Sequence, residues 1–128
     1  MNSLNSILLE GNLVKDPTEK RTPQDTVVCN FTIAVNRSYK KAEDYVKEVS
    51  YFDIEVWSLL AENCLKHLCK GRGVRVVGRL KQDRWIDEED ISHTRIKIVG
   101  EHVEFKPLMN IVKDEEELEN NEILDVAI

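Results

Sequence analysis

Val27, Cys29, Phe31, Ile33 and Val35 take one parity of the chain, and Val28, Asn30, Thr32, Ala34 and Asn36 take the other. A period of two predicts a strand with one face better buried. An earlier strand is predicted over residues 6–14, with Gly11 at a bulge or tight bend. Asp16-Pro17 and Pro23-Gln24-Asp25 predict a loop between the two. A third strand is expected over residues 49–57, with Phe52, Ile54 and Val56 on one face and Tyr51, Asp53, Glu55 and Trp57 on the other. Two aromatics beside two carboxylates predict a partly exposed face, because a closed apolar core would desolvate both charges.

A change of period marks the next element. Leu60, Cys64 and Leu68, with Ala61 and Leu65 beside them, form a helical stripe within residues 59–70. Ser58 is the expected N-cap and Gly71 the expected release, with Lys66 and Lys70 near the carbonyl end. After Gly71-Arg72-Gly73 the period returns to two: Val74, Val76, Gly78 and Leu80 read inward, and Arg75, Val77, Arg79, Lys81 and Trp85 read outward. Asp87 to Asp90 form the expected turn into a last strand, or bent strand pair, over residues 94–105 with Gly100 at the bend. These elements predict an all-β fold, a small five-stranded barrel with one helix between its third and fourth strands. Residues 1–107 make the domain, and 108–128 make a short, acidic, partly disordered tail.

The 128 residues suit one core, and 41% apolar content supports it. No run nears the roughly 18 apolar residues of a membrane span, so no membrane partner is expected. The N-terminus lacks the basic and apolar regions of a secretory signal, and three cysteines make no paired framework, so a reducing cytoplasmic setting is expected. A net charge of -6 argues against an anionic partner until its distribution is read. Residues 1–112 hold 17 basic and 17 acidic side chains, so the whole excess lies in the tail. Within residues 66–84, Lys66, Lys70, Arg72, Arg75, Arg79, Lys81 and Arg84 face only Asp83.

Tyr51, Trp57 and Trp85, with Arg75, Arg79 and Lys81, are the side chains a single-stranded nucleic acid needs. Rings stack on bases without reading them, and cations neutralise phosphates. Tyr39, beside Arg37, Lys40 and Lys41, extends this platform on a mobile loop after the second strand, and Arg72 and Arg84 flank it. Competing readings are a protein interface for the aromatics and a solvated strand for the cations. Cys64, His67 and Cys69 lack a fourth metal ligand and read as ordinary core and surface residues. Asp53 and Glu55 admit a distant metal-dependent nuclease reading. No cofactor fingerprint is present, and the leading expectation is a binding protein without catalysis.

Several ordered segments resemble the bacterial single-stranded DNA-binding protein family over roughly residues 1–107. They are residues 6–13 followed by Asp16-Pro17, Asn30 to Asn36, Trp57, Leu60-Ala61-Glu62, Leu68 to Gly71, Val76 to Leu80, and Trp85. The resemblance implies an oligonucleotide-binding fold, a homotetramer, and the wrapping of single-stranded DNA in replication, recombination and repair, in the cytoplasm and on the nucleoid. It aligns Tyr39, Tyr51, Trp57 and Trp85 with the family's stacking positions. The segment around Pro23-Gln24-Asp25 lacks a glycine that many relatives have there. The end Asp125-Val126-Ala127-Ile128 stands where relatives carry an acidic segment closed by Pro-Phe that recruits replication and repair proteins, so these four residues are the expected partner-docking end. An oligonucleotide-fold adaptor binding protein through the same aromatics is the alternative.

Overall fold

In the computed structural model, which describes residues 1–107, the expected strands form, and all but the first reach beyond their apolar patterns. In chain order the elements are β1 (Ile7–Leu13), β2 (Thr18–Arg21), β3 (Val27–Lys41), β4 (Asp44–Trp57), α1 (Ser58–His67), β5 (Gly73–Ile86) and β6 (Ser92–Phe105). The order β1-β5-β6-β4-β3 closes on itself, since β1 pairs with β5 through Ile7 to Asn12 and with β3 through Asn12 and Leu13. The β4–β6 ladder is parallel and the others are antiparallel. A five-stranded oligonucleotide-binding barrel with its helix after the third barrel strand is therefore present.

Side-chain alternation fills this barrel. Cys29, Ile33, Ile54, Val56, Val74 and Val76 are fully buried, and Ala61 and Cys64 of α1 plug the same core. Phe31 is buried and Phe52 packs partly against the cluster, as their strand phases require. Removing the Cys29 and Cys64 thiols from water pushes their pKa values up to about 11 and about 12, so both stay protonated as small apolar groups.

Several local expectations are corrected. The loop after β1 contains β2, paired with β3 from Thr18↔Asn30 to Arg21↔Val27; its four exposed residues show no alternation to read. The next turn places Asp25 at φ 64, a left-handed conformation that Asp tolerates better than most residues. Ser58 is not the cap: it has φ 58, the N-cap is Trp57, and no side chain bonds the first-turn amides. The helix also stops at His67, because Leu68 turns extended and carries its apolar side chain into the core. Leu80, expected inside, is exposed because β5 has by then left the barrel. The β3–β4 and β5–β6 ladders both continue past the buried positions as two-stranded arms, so Tyr39, expected on a loop, lies within β3 paired with Val46.

Gly100 and Glu101 change the parity of β6. Val77 pairs with His102 but Gly78 pairs with Gly100, leaving Glu101 as an extra residue. A bulge of this kind exchanges inner and outer faces along the strand. Val103 is thus buried on one side of it, and Ile98 on the other. No helix among the described residues is long and apolar enough to cross a membrane. Residues 108–128, including Asp125, Val126, Ala127 and Ile128, lie outside the described residues.

Barrel closure depends on close backbone contact at Gly11, where a Cβ would lie 2.4 Å from the Ala34 carbonyl oxygen. Replacing Gly by Ala ordinarily stabilises a strain-free site by restricting the unfolded chain. Here Gly11→Ala is expected to destabilise by about 1–3 kcal/mol, the usual cost of overpacking. Urea denaturation checks this, and a rise in the midpoint would contradict the closure geometry.

Candidate nucleic-acid interface

Alternation turns Tyr51, Asp53, Glu55 and Trp57 outward on β4. The pairs Ile54↔Ile98 and Glu55↔Val99 set this row beside the outer residues Arg95 and Lys97 of β6. Register across β6 then brings in Arg79, Lys81, Asp83 and Trp85 of β5. Tyr51 is 65% exposed, Trp57 41% and Trp85 48%, so all three rings have open surface for a flat ligand. Trp57, Arg79 and Lys81 also line one open groove of about 410 Å³ with Leu60, Glu55 and Glu101.

Each of the four cations that β5 and β6 place on this face meets a carboxylate. Arg95 donates to Asp53, which also accepts from Thr32 at 2.7 Å. Lys97 Nζ lies 2.7 Å from Glu55 and 2.8 Å from Asp83. Arg79 lies 3.6 Å from Glu101, and Lys81 lies 3.8 Å from Asp83. Glu55 is 9% exposed, so the expectation of two partly open carboxylates fails at this position. Lys97 compensates its desolvation and Trp57 Nε1 donates to it at 2.8 Å, which also orients the indole.

Residues 4–106 match the profile of the single-strand binding protein family. The chain belongs to this family. A single-stranded DNA-binding protein of Thermotoga maritima is 37% identical over 123 residues, covering 93% of this chain and 87% of that one. A Treponema pallidum single-stranded DNA-binding protein is 36% identical over 104 residues, covering 81% of this chain; the match spans 58% of that longer protein. Among solved structures, a Plasmodium falciparum SSB complex with ssDNA superposes with a TM-score of 0.74 at 23% identity, covering 82% of this chain and 97% of that one. That likeness is one of fold.

Within this family member the expected site residues divide. Tyr51, Trp57, Arg79, Lys81 and Trp85 come together, and Lys40 lies on the same face farther along the β3–β4 arm, opposite Tyr45. Arg37 and Tyr39 occupy the opposite face of that arm, where Arg37 stacks over the Tyr39 ring at 4.8 Å and pairs with Glu48. Arg75 points outward but is held by Glu10 at 2.8 Å, toward β1. Arg72 closes the barrel end, donating to the Lys106 and His67 carbonyls and covering Phe105. Arg84 is on the other face of the β5–β6 arm, bonded to Gln82. Arg95 and Lys97 were not singled out by sequence. The available signal was their odd spacing in β6, hidden until the shift at Glu101 fixes which parity faces outward.

Neither metal reading gains support from the geometry. Cys64 is buried, His67 packs on Phe105 and Cys69 is exposed, while Asp53 and Glu55 are committed to Thr32 with Arg95 and to Trp57 with Lys97. Among the described residues no group of three His, Cys, Asp or Glu side chains is placed to hold a metal.

The Thr32 hydroxyl, then Arg95, holds the Asp53 carboxyl below its ordinary range; Arg75, then Lys106, does the same for Glu10. Burial opposes charge on Lys97, but Asp83 and Glu55 outweigh it and raise its pKa. Lowered carboxyl values mean that the folded state binds protons less readily than the unfolded chain. Their stabilisation is full above the unfolded values near pH 4 and is lost as pH falls through the depressed native values. Urea midpoints should therefore drop on acidification below about pH 4, and less steeply in Glu10→Gln. An identical acid dependence in that variant would exclude Glu10 from the effect.

Proposed function

We propose that this chain binds exposed single-stranded DNA during replication, recombination and repair, with bases stacked along Tyr51, Trp57 and Trp85. One observation carries this reading: three open aromatic rings share a continuous outer face with Arg79, Lys81, Arg95 and Lys97. Every base offers a π-face, so stacking is tolerant of sequence. Phosphates bind by taking Arg95 and Lys97 from Asp53 and Asp83, which occupy these cations in the free protein. Lys40 extends the track along the β3–β4 arm. The chain acts in the cytoplasm on nucleoid DNA and catalyses no reaction. Its Asp125-Val126-Ala127-Ile128 end offers carboxylate and apolar contacts to replication and repair proteins.

A homotetramer is the assembled form. Supporting it, Leu8 is 72% exposed and lies in register beside Val77, leaving an apolar outer patch on β1 and β5. Light scattering across a dilution series is expected to show a dominant tetramer, and Leu8→Glu is expected to shift it toward smaller species. A wild-type monomer throughout would overturn this assembly.

Oligo(dT) titration at fixed salt tests the binding path. Trp57→Ala and Trp85→Ala should each lose about 1–3 kcal/mol of binding. Asp53→Asn, which removes a competitor for Arg95, should instead tighten binding by about two- to fivefold, the scale of an exposed ion pair. Unchanged affinity in both folded tryptophan variants would remove these rings from the path, and cleavage of the oligonucleotide would favour the nuclease reading.

A further inference from the structure

Trp85 is not a bare ring on the β5–β6 arm. Its cross-strand partner is His93, whose imidazole stacks on the indole with centroids 5.4 Å apart and planes 19° from parallel. His93 Nε2 lies 2.6 Å from Asp87 Oδ2. The other oxygen, Asp87 Oδ1, accepts the backbone N–H groups of Glu89 at 2.8 Å and Ile91 at 2.9 Å. One carboxylate thus organises the turn with one oxygen and holds the imidazole with the other.

We propose that Asp87 and His93 are positioning residues for Trp85, forming a relay that fixes the indole for base stacking and places a proton-dependent positive charge behind it. This inference rests on single-stranded DNA binding at the aromatic face. The indole is 48% exposed with one face covered by His93, so an incoming base stacks on the other face. Protonation of His93 turns the neutral stack into a cation against a π-system and adds an attractive charge near the DNA backbone. The neighbouring charges on this face of the arm are already engaged: Asp83 with Lys97 and Lys81, and Arg95 with Asp53. Asp87 therefore supplies the counter-charge to His93, and the imidazole in turn keeps the Asp87 carboxyl below its ordinary range. Nothing in the acidic run Asp87 to Asp90 discloses this, because read as a run it is only a solvated turn.

The test uses the full chain at constant ionic strength. Oligo(dT) affinity should rise about two- to fivefold as pH falls from about 8 to about 5.5, the range in which an imidazole gains its proton. His93→Gln should flatten that profile. Asp87→Asn keeps an oxygen for the turn amides but removes the carboxylate that holds the imidazole against the indole, so it should change the profile in the same direction as His93→Gln. Two other histidines, His67 against Phe105 and His102 near Glu104, lie away from Trp85, so the His67→Gln, His102→Gln double variant should keep the wild-type profile. In a Trp57→Phe background Trp85 is the sole tryptophan, and its emission in the DNA-free protein should titrate over the same range only when His93 is present. A flat wild-type profile, or the same profile and emission in His93→Gln, overturns the relay. Failure of the wild type to bind oligo(dT) at any pH would instead overturn the DNA-binding reading, and the emission titration would still decide whether the relay exists.

Discussion

β1 pairs with β5 along most of its length and with β3 at its end, and Gly11 makes that double engagement possible by lying against the Ala34 carbonyl. Closure gives each strand a fixed inner and outer side, because alternate residues cannot all enter a barrel only one side chain deep. Apolar positions such as Ile33, Ile54 and Val76 take the interior. Tyr51, Trp57 and Arg79 are left outside in fixed register, so the outer aromatic face is a consequence of how the core is filled.

That outer face is close to electrically balanced. Arg79, Lys81, Arg95 and Lys97 are met by Asp53, Glu55, Asp83 and Glu101. Such pairs add little stability where they are exposed, but they restrict where long cationic side chains point. Lys97, more enclosed than the rest, is gripped from two sides. A polyanion approaching this surface meets oriented cations whose partners it must displace, while the rings need no such exchange. In the proposed binding mode, stacking favours a single strand, whose bases are open, over a duplex, whose bases already stack on each other.

Barrel, helix and aromatic row were legible because each depends on local periodicity, as with Cys29 to Val35 and the alternation of Val74 and Val76 with Arg75 and Val77. Features set by distant partners were not. β2 has no apolar face, and Arg72 reads as a surface cation until the Lys106 and His67 carbonyls are found beside it. Tyr39 shares its parity with Arg37, and only the uninterrupted β3–β4 register shows that this parity turns away from Tyr51. Glu55 illustrates the converse: desolvation cost correctly disfavours a lone buried carboxylate, but Lys97, 42 residues away, compensates it. Arg95 and Lys97 stayed hidden because one extra residue at Glu101 decides which way β6 faces.

Photo-cross-linking of oligo(dT) to the full chain, followed by mapping of the attached peptides, tests the aromatic face most directly. Cross-links at Tyr51, Trp57 and Trp85, lost when unlabelled single-stranded DNA competes, are the predicted result. Cross-links confined to α1 and β2, around Leu59 and Lys66 on the groove between them, would place the strand elsewhere and contradict the proposed path.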